Sequence, residues 1–342
     1  MITRRRLLEI GALLPLAGLP AVFGCGKRDQ GSVLSGLVTE VVLGMAREMR
    51  AESSTLHEKV RALSAEPNPE RQRAAQAAFK RAILAWKQAS AFRTGPFIDS
   101  EGFQRAAFWP ARVTLVEAVL DDREPIDERR IQQLGVDARG LYALEYLLFD
   151  ETNARASLLS DDARGRRVRA YALELSVNVL GYADRIQRLL GHGDEYAASF
   201  SKGGKQSVDT LVAQMLDTVS IISGKFARIE RARSENQPLP FAVDGYVSGM
   251  SLEIVLAILA GAKRLYVGDG SGGLGALVAS ASPPIDGHVR AMFHDAEKRV
   301  RAVGMPIEVA FDQQPRRFAA AAAAVADLRH VIEVEMLSAF AG

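Results

Sequence analysis

The chain has 342 residues, 43 of them Lys or Arg and 41 Asp or Glu, for a formal charge of +2, and 48% are hydrophobic. Near-neutrality argues against a nucleic-acid partner, which would need a basic face to neutralise phosphates, and no basic stripe interleaved with aromatics is present. With a single cysteine, no internal disulfide can form.

Residues 1–25 read as an export signal. Thr3-Arg4-Arg5-Arg6-Leu7-Leu8 gives a twin-arginine pattern, and the apolar stretch from Ile10 to Phe23 is too short to span a bilayer as a mature helix. Val22-Phe23-Gly24-Cys25 then looks like a lipoprotein processing site, although Phe23 is unusual there. Cys25 is either the lipidated N-terminus of an envelope-anchored protein or incidental to a cleaved signal, and either outcome predicts a periplasmic protein. Loss of residues 1–24 removes Arg4, Arg5, Arg6 and Glu9, leaving 40 basic and 40 acidic residues. The remaining chain of about 318 residues is longer than one core usually serves, which predicts two domains.

Apolar residues then recur at helical spacing almost throughout. In 33–63, Leu37, Val41, Met45, Met49, Leu56, Val60 and Leu63 fall three, four or seven apart, until Glu66-Pro67-Asn68-Pro69 stops the pattern. Phe79, Ile83, Trp86 and Ser90 continue it over 74–93, and Thr94-Gly95-Pro96 breaks it. Further helices are predicted at 113–120, 139–149, 161–190, 207–233, 248–267, 284–303 and 315–340. Alternating strand-like runs are hard to find, so the fold class is all-α. Glycine and charge replace the hydrophobic period between Gly191 and Lys205, which predicts helical-bundle domains over 26–192 and 193–342. Gly140-Leu-Tyr-Ala-Leu-Glu145 and Ser248-Gly-Met-Ser-Leu-Glu253 share Leu-Glu at one offset, a pattern compatible with internal duplication.

Glu145 stands out because it is the one acidic side chain in the otherwise apolar helix 139–149. A buried carboxylate is costly unless it is paired, hydrogen-bonded, protonated or bound to metal. Tyr142 lies one turn earlier on the same face, where it either donates a hydrogen bond to the carboxylate or shares a metal with it. Arg93, at the end of a helix and before Gly95-Pro96, either reaches a carboxylate such as Glu145 or an anionic ligand, or faces solvent or the carbonyl end of its helix. Trp86 reads chiefly as core. Glu253, following Ser251 and Leu252, either favours the positive end of its helix or joins a site. Gly268-Asp-Gly-Ser-Gly-Gly273 matches a dinucleotide-binding pattern, but no strand precedes it, so it reads as a turn. His330 and Glu333 read as a solvated pair. No zinc-protease helix, di-iron pair of helices or serine nucleophile elbow occurs.

Trp86 with Phe92-Arg93-Thr94-Gly95-Pro96, the run from Arg139 to Phe149, and Leu265-Tyr266-Val267-Gly268 with Gly272-Gly273-Leu274-Gly275 together resemble the imelysin-like family of bacterial periplasmic proteins. The central run is the most specific of the three. The resemblance implies two bundle domains, a site at their junction, and a link to iron acquisition or iron-regulated expression. The family's Gly-x-His-x-x-Glu motif has been regarded as a metal-binding pair, and Tyr142 stands here at the histidine position. Metal binding by Tyr142 and Glu145, to iron or another divalent or trivalent ion, is therefore one expectation and ligand contact another. Lacking the histidine, the chain is expected to be a non-catalytic binder of iron, haem or another small ligand, with Tyr142, Glu145, Arg93, Trp86, Glu253 and Ser251 as candidate contacts. A metallopeptidase and an envelope lipoprotein that recruits a partner are the alternatives.

Overall fold

Glu66-Pro67-Asn68-Pro69 ends one helix and begins the next. The computed structural model describes residues 29–152, 154–239, 242–270 and 272–340, so the predicted export signal and Cys25 lie outside the described residues. Helix α1 (Gln30–Gly36) runs through a π-helical stretch (Leu37–Val42) into α2 (Leu43–Ala65). Helix α3 (Pro69–Ala89) opens on Pro69, whose missing N–H costs nothing in a first turn, with the Asn68 side chain accepting from the Arg71 amide at 2.9 Å. Four short helices follow, α4 (Pro96–Asp99), α5 (Gly102–Ala106), α6 (Val113–Asp121) and α7 (Glu128–Gln133). Then come α8 (Gly140–Phe149), α9 (Ala154–Ser157) and the 28-residue α10 (Ala163–Leu190), capped by Asp162.

The second half contains α11 (Asp194–Lys202), α12 (Lys205–Ser234), α13 (Ser251–Val267), α14 (Leu274–Ala281), α15 (Pro283–Arg301), α16 (Ile307–Gln313) and α17 (Pro315–Val331), the last continuing into a π-helical stretch (Ile332–Met336). No strand occurs among the described residues, and the fold is all-α. Residues 268–270 and 272–273 lie between α13 and α14, with no strand before them. No described helix is long and apolar enough to cross a membrane.

The apolar stripes explain the packing. Helix α2 buries Met45, Met49, Leu56, Val60 and Leu63 against α3 and α10, and α8 inserts beside α3 and α10. In the second half α12, α13, α15 and α17 pack on one another. Helix α13 also lies against α3, and Gly261 makes that approach possible, since a Cβ there would sit 2.2 Å from the Gln88 carbonyl oxygen. Helix α1 packs on α11 and α14, so apolar side chains from both halves of the chain form one continuous core. The α3–α13 contact brings Trp86 and Lys87 of the first half near the loop that precedes α13.

Candidate functional site

Helix α8 is buried from Gly140 through Leu148, with no solvent-facing side. Its start requires glycine: Gly140 has φ +77°, and a Cβ would lie 2.4 Å from the Ala106 carbonyl oxygen. A helix so enclosed must satisfy its polar side chains internally. Tyr142 and Glu145 do so with separate partners, both supplied by the loop between α12 and α13.

Glu145 accepts from Ser248 twice, from the backbone amide at 3.1 Å and from the hydroxyl. Burial pushes its pKa up to about 7, against the pull of those two hydrogen bonds. The Tyr142 hydroxyl donates to Asp244 Oδ2 at 2.9 Å, and burial, then the carboxylates of Asp244 and Glu145, raise the phenol well above its ordinary range. Glu145 and Tyr142 thus share a helix face without sharing a partner.

Asp244, 2% exposed, is the centre of the arrangement. The Lys87 ammonium approaches its Oδ2 at 2.7 Å, and the Lys225 ammonium pairs with Oδ1. Burial alone would raise the Asp244 carboxyl, but the two ammoniums outweigh it and hold the group well below the usual carboxylate range. Burial pulls Lys225 down to about 8, opposed by Asp244. Lys87 also lies 5.2 Å from the centre of the Tyr142 ring. Two ammoniums against one committed carboxylate leave surplus positive charge in a desolvated place.

That charge borders a cavity of about 450 Å³, which Lys87, Lys225 and Asp244 line together with Trp86, Phe97, Phe103 and Trp109. Trp86 is fully buried, its Nε1 donating to Ser53 Oγ at 2.9 Å and its ring set edge-on to Phe103. Arg228 stands over the Trp109 ring at 5.7 Å. Arg93 also lines the cavity, but its guanidinium pairs with Asp217 and its backbone amide donates to Gln214 Oε1 at 3.1 Å, so it does not reach Glu145.

The two remaining sequence candidates lie elsewhere. Ser251 is buried, donates to Glu308 and accepts from the Ile307 amide at 3.0 Å, while Glu253, in the same first turn, is exposed. The buried acid of this second pair is therefore Glu308, raised first of all by burial. His330 is exposed and Glu333 pairs with Arg329. Lys87, Lys225, Asp244, Ser248 and Glu308 were missed by sequence reasoning. Lys225 had a signal: it sits three residues after Ile222 and before Phe226 on the buried stripe of α12. Asp244 sits in a loop, where one carboxylate carries no periodic signal.

The donors around α8 do not fit a bare cation. Asp244 already faces two ammoniums and a phenol, and Glu145 already takes two donors from Ser248. No group of three or more His, Cys, Asp or Glu placed to hold a metal occurs among the described residues.

Among solved structures, an iron-regulated protein A precursor from Parabacteroides distasonis aligns over 91% of this chain and 95% of its own, with TM-score 0.75 and 18% identity. An imelysin-like protein from Psychrobacter arcticum aligns over the same shares, with TM-score 0.68 and 13% identity. At these identities the likeness shows a shared fold. No curated protein matches the chain. The family model for imelysin, peptidase family M75, covers residues 42–334, a span that takes in both helical halves and the cavity between them, and the chain belongs to the imelysin family.

Proposed function

We propose that this chain is an exported, non-catalytic binding protein whose two helical halves, 26–192 and 193–342, take a small anionic ligand with an aromatic or apolar body in the cavity between α3, α5 and α12. The observation that carries this reading is the meeting of Lys87 and Lys225 on one buried Asp244, beside a wall of Trp86, Phe97, Phe103 and Trp109. Aromatic walls hold an apolar body, and a few convergent polar groups fix its orientation, within the volume range of ordinary ligand sites. Surplus ammonium charge in a poorly solvated place favours carboxylate or similar groups.

Membership in the imelysin family, and the iron-regulated description of one structural neighbour, support a link to iron acquisition. Because the donors do not suit a naked ion, iron would arrive in organic form, as haem or a ferric chelate with its own carboxylates. The twin-arginine segment supports export, and Cys25 supports lipid anchoring of the mature chain. Glu145 faces Ser248 and does not line the cavity, which weighs against its serving there as the general base of a metal-assisted hydrolysis.

Equilibrium dialysis of the mature chain against haem, ferric citrate and free ferrous iron tests this reading. Retention of one of the organic complexes, with no retention of the free ion, is expected. Retention of the free ion alone, abolished by Glu145→Gln, would overturn it.

A further inference from the structure

The face of α12 that borders the central cavity carries Thr218, Ile221, Lys225 and Arg228, three or four residues apart. Arg228 is half-buried, and its guanidinium is held by three neighbours, none of them a carboxylate. Its Nε donates to the Ala242 carbonyl at 3.1 Å, the Trp109 ring lies 5.7 Å away, and Nη1 rests over Gly224, one turn back along the helix. A Cβ at Gly224 would lie 3.3 Å from that Nη1 and would meet nothing else within 4 Å. Glycine in the interior of a 30-residue helix weakens it. Among the described residues, the one side chain that gains from the missing Cβ is Arg228.

The charges around the cavity do not balance. Lys87, Arg93, Lys225 and Arg228 line it against the carboxylates of Glu101 and Asp244. Arg93 pairs with Asp217 and Glu101 with Arg105, so each of these is answered by a residue that does not line the cavity. Asp244 answers one of its two ammoniums, which leaves one positive charge on that cluster. Arg228 adds a second, because no carboxylate among the described residues lies within ion-pair distance of it. Lys87 keeps part of its side chain exposed, whereas Lys225 is enclosed and contributes charge alone. Lys225 is lowered first by burial and then by the charges of Lys87 and Arg228, as befits cations gathered with too little counter-charge.

Resting on the anion-binding reading above, we infer that the ligand of the central cavity is a dianion, an aromatic or apolar body with two carboxylates, one gripped by Arg228 and the other drawn to Lys87. With Nε already used, the guanidinium keeps its two Nη groups, and its planar fork suits a carboxylate where an ammonium offers a point charge. Gly224 makes room for that fork, and Trp109 supports it. A monoanion leaves one of the two charges uncompensated in a poorly solvated place.

Isothermal titration of the full chain at pH 6 with 2-naphthoate, naphthalene-2,3-dicarboxylate and naphthalene-2,6-dicarboxylate tests the inference. At that pH Lys225, with its pKa of about 8, is charged, and Glu145, at about 7, mostly keeps its proton, so the charge count holds. At least one dicarboxylate binds about tenfold or more tightly than 2-naphthoate. That advantage disappears in Arg228→Gln. Gly224→Val, which crowds the guanidinium, reduces it without lowering the melting temperature, because valine favours a helix over glycine, and it remains decisive should Arg228→Gln fail to fold. A purely structural Arg228 would instead move the melting temperature and affect the three probes alike. Equal binding of 2-naphthoate and both dicarboxylates, or an advantage that survives in either variant, overturns the inference and leaves an anion-binding cavity in place. Absence of binding by all three probes at about 10 mM overturns that reading, and the inference with it.

Discussion

Replacing Glu145 by Gln changes one proton and one charge at the most enclosed acid of α8. Its pKa of about 7 in the folded protein, against an ordinary 4.5, corresponds to about 3 kcal/mol, since each unit is worth about 1.4 kcal/mol. Between roughly pH 4.5 and 7 the folded protein keeps a proton that the unfolded chain has released. Stability from this group is therefore full below about pH 4.5, falls as pH rises through that window, and levels off above about pH 7. Gln keeps an oxygen for the amide and hydroxyl of Ser248 and carries no charge at any pH. The variant should match the wild type near pH 4.5 and exceed it by about 3 kcal/mol at pH 8. Urea unfolding of both proteins at pH 5, 6, 7 and 8 gives the difference, in which other titrating groups cancel. A variant less stable than wild type at pH 8, or a difference independent of pH, would refute the reasoning. Such a result would mean that Glu145 works as an anion with a cationic partner, as a metal ligand would.

Two glycines provide structural checks. Gly140→Ala places a side chain at φ +77° and 2.4 Å from the Ala106 carbonyl oxygen, so thermal or urea unfolding should show a loss of about 3 kcal/mol, from strain and overpacking together. Gly261→Ala pushes on the Gln88 carbonyl across the α3–α13 contact. It should cost about 2 kcal/mol and weaken ligand binding in the cavity by moving Lys87 away from Asp244, readable by unfolding and titration of one sample. Trp86→Phe removes the indole donor to Ser53 and should cost about 2 kcal/mol in urea unfolding.

The long helices were legible because each carries a buried stripe at constant spacing. Val33 to Leu63, the α10 stripe from Val168 to Leu190, and the α12 stripe from Val208 to Ile229 are such stripes. The short helices α4, α5, α7, α9, α11, α14 and α16 were not, because four to nine residues provide few turns for a period to show; α6, equally short, carries apolar residues at most of its positions. Pro69 was read as part of a stop, since a proline alone does not say on which side of it a helix lies. It took the Asn68 cap, followed by Glu70 in the first turn, to mark a start.

The site divides in the same way. Glu145 could be picked out as a buried acid because a charge inside Leu141–Leu148 violates the pattern around it. Its partner could not, since Ser248 is 103 residues away and becomes a neighbour only when the loop before α13 folds over α8. Ser251 has Glu253 as its neighbour in sequence, while its hydrogen-bond partner, Glu308, is 57 residues away. Asp244 and Lys225 are ordinary in sequence and acquire meaning only through being brought together with Lys87, from the other half of the chain.

The chain has two tryptophans, and both line the central cavity, so intrinsic fluorescence reports on that space directly. Titration of the mature chain with haem, in parallel with free ferric and ferrous iron, is the most direct test of an anion-binding cavity. Such a cavity predicts saturable quenching by haem that weakens about tenfold in Arg228→Gln, which removes the cation over Trp109, and no saturable response to the free ions. Saturable quenching by free iron that persists in Arg228→Gln and disappears in Glu145→Gln would contradict it.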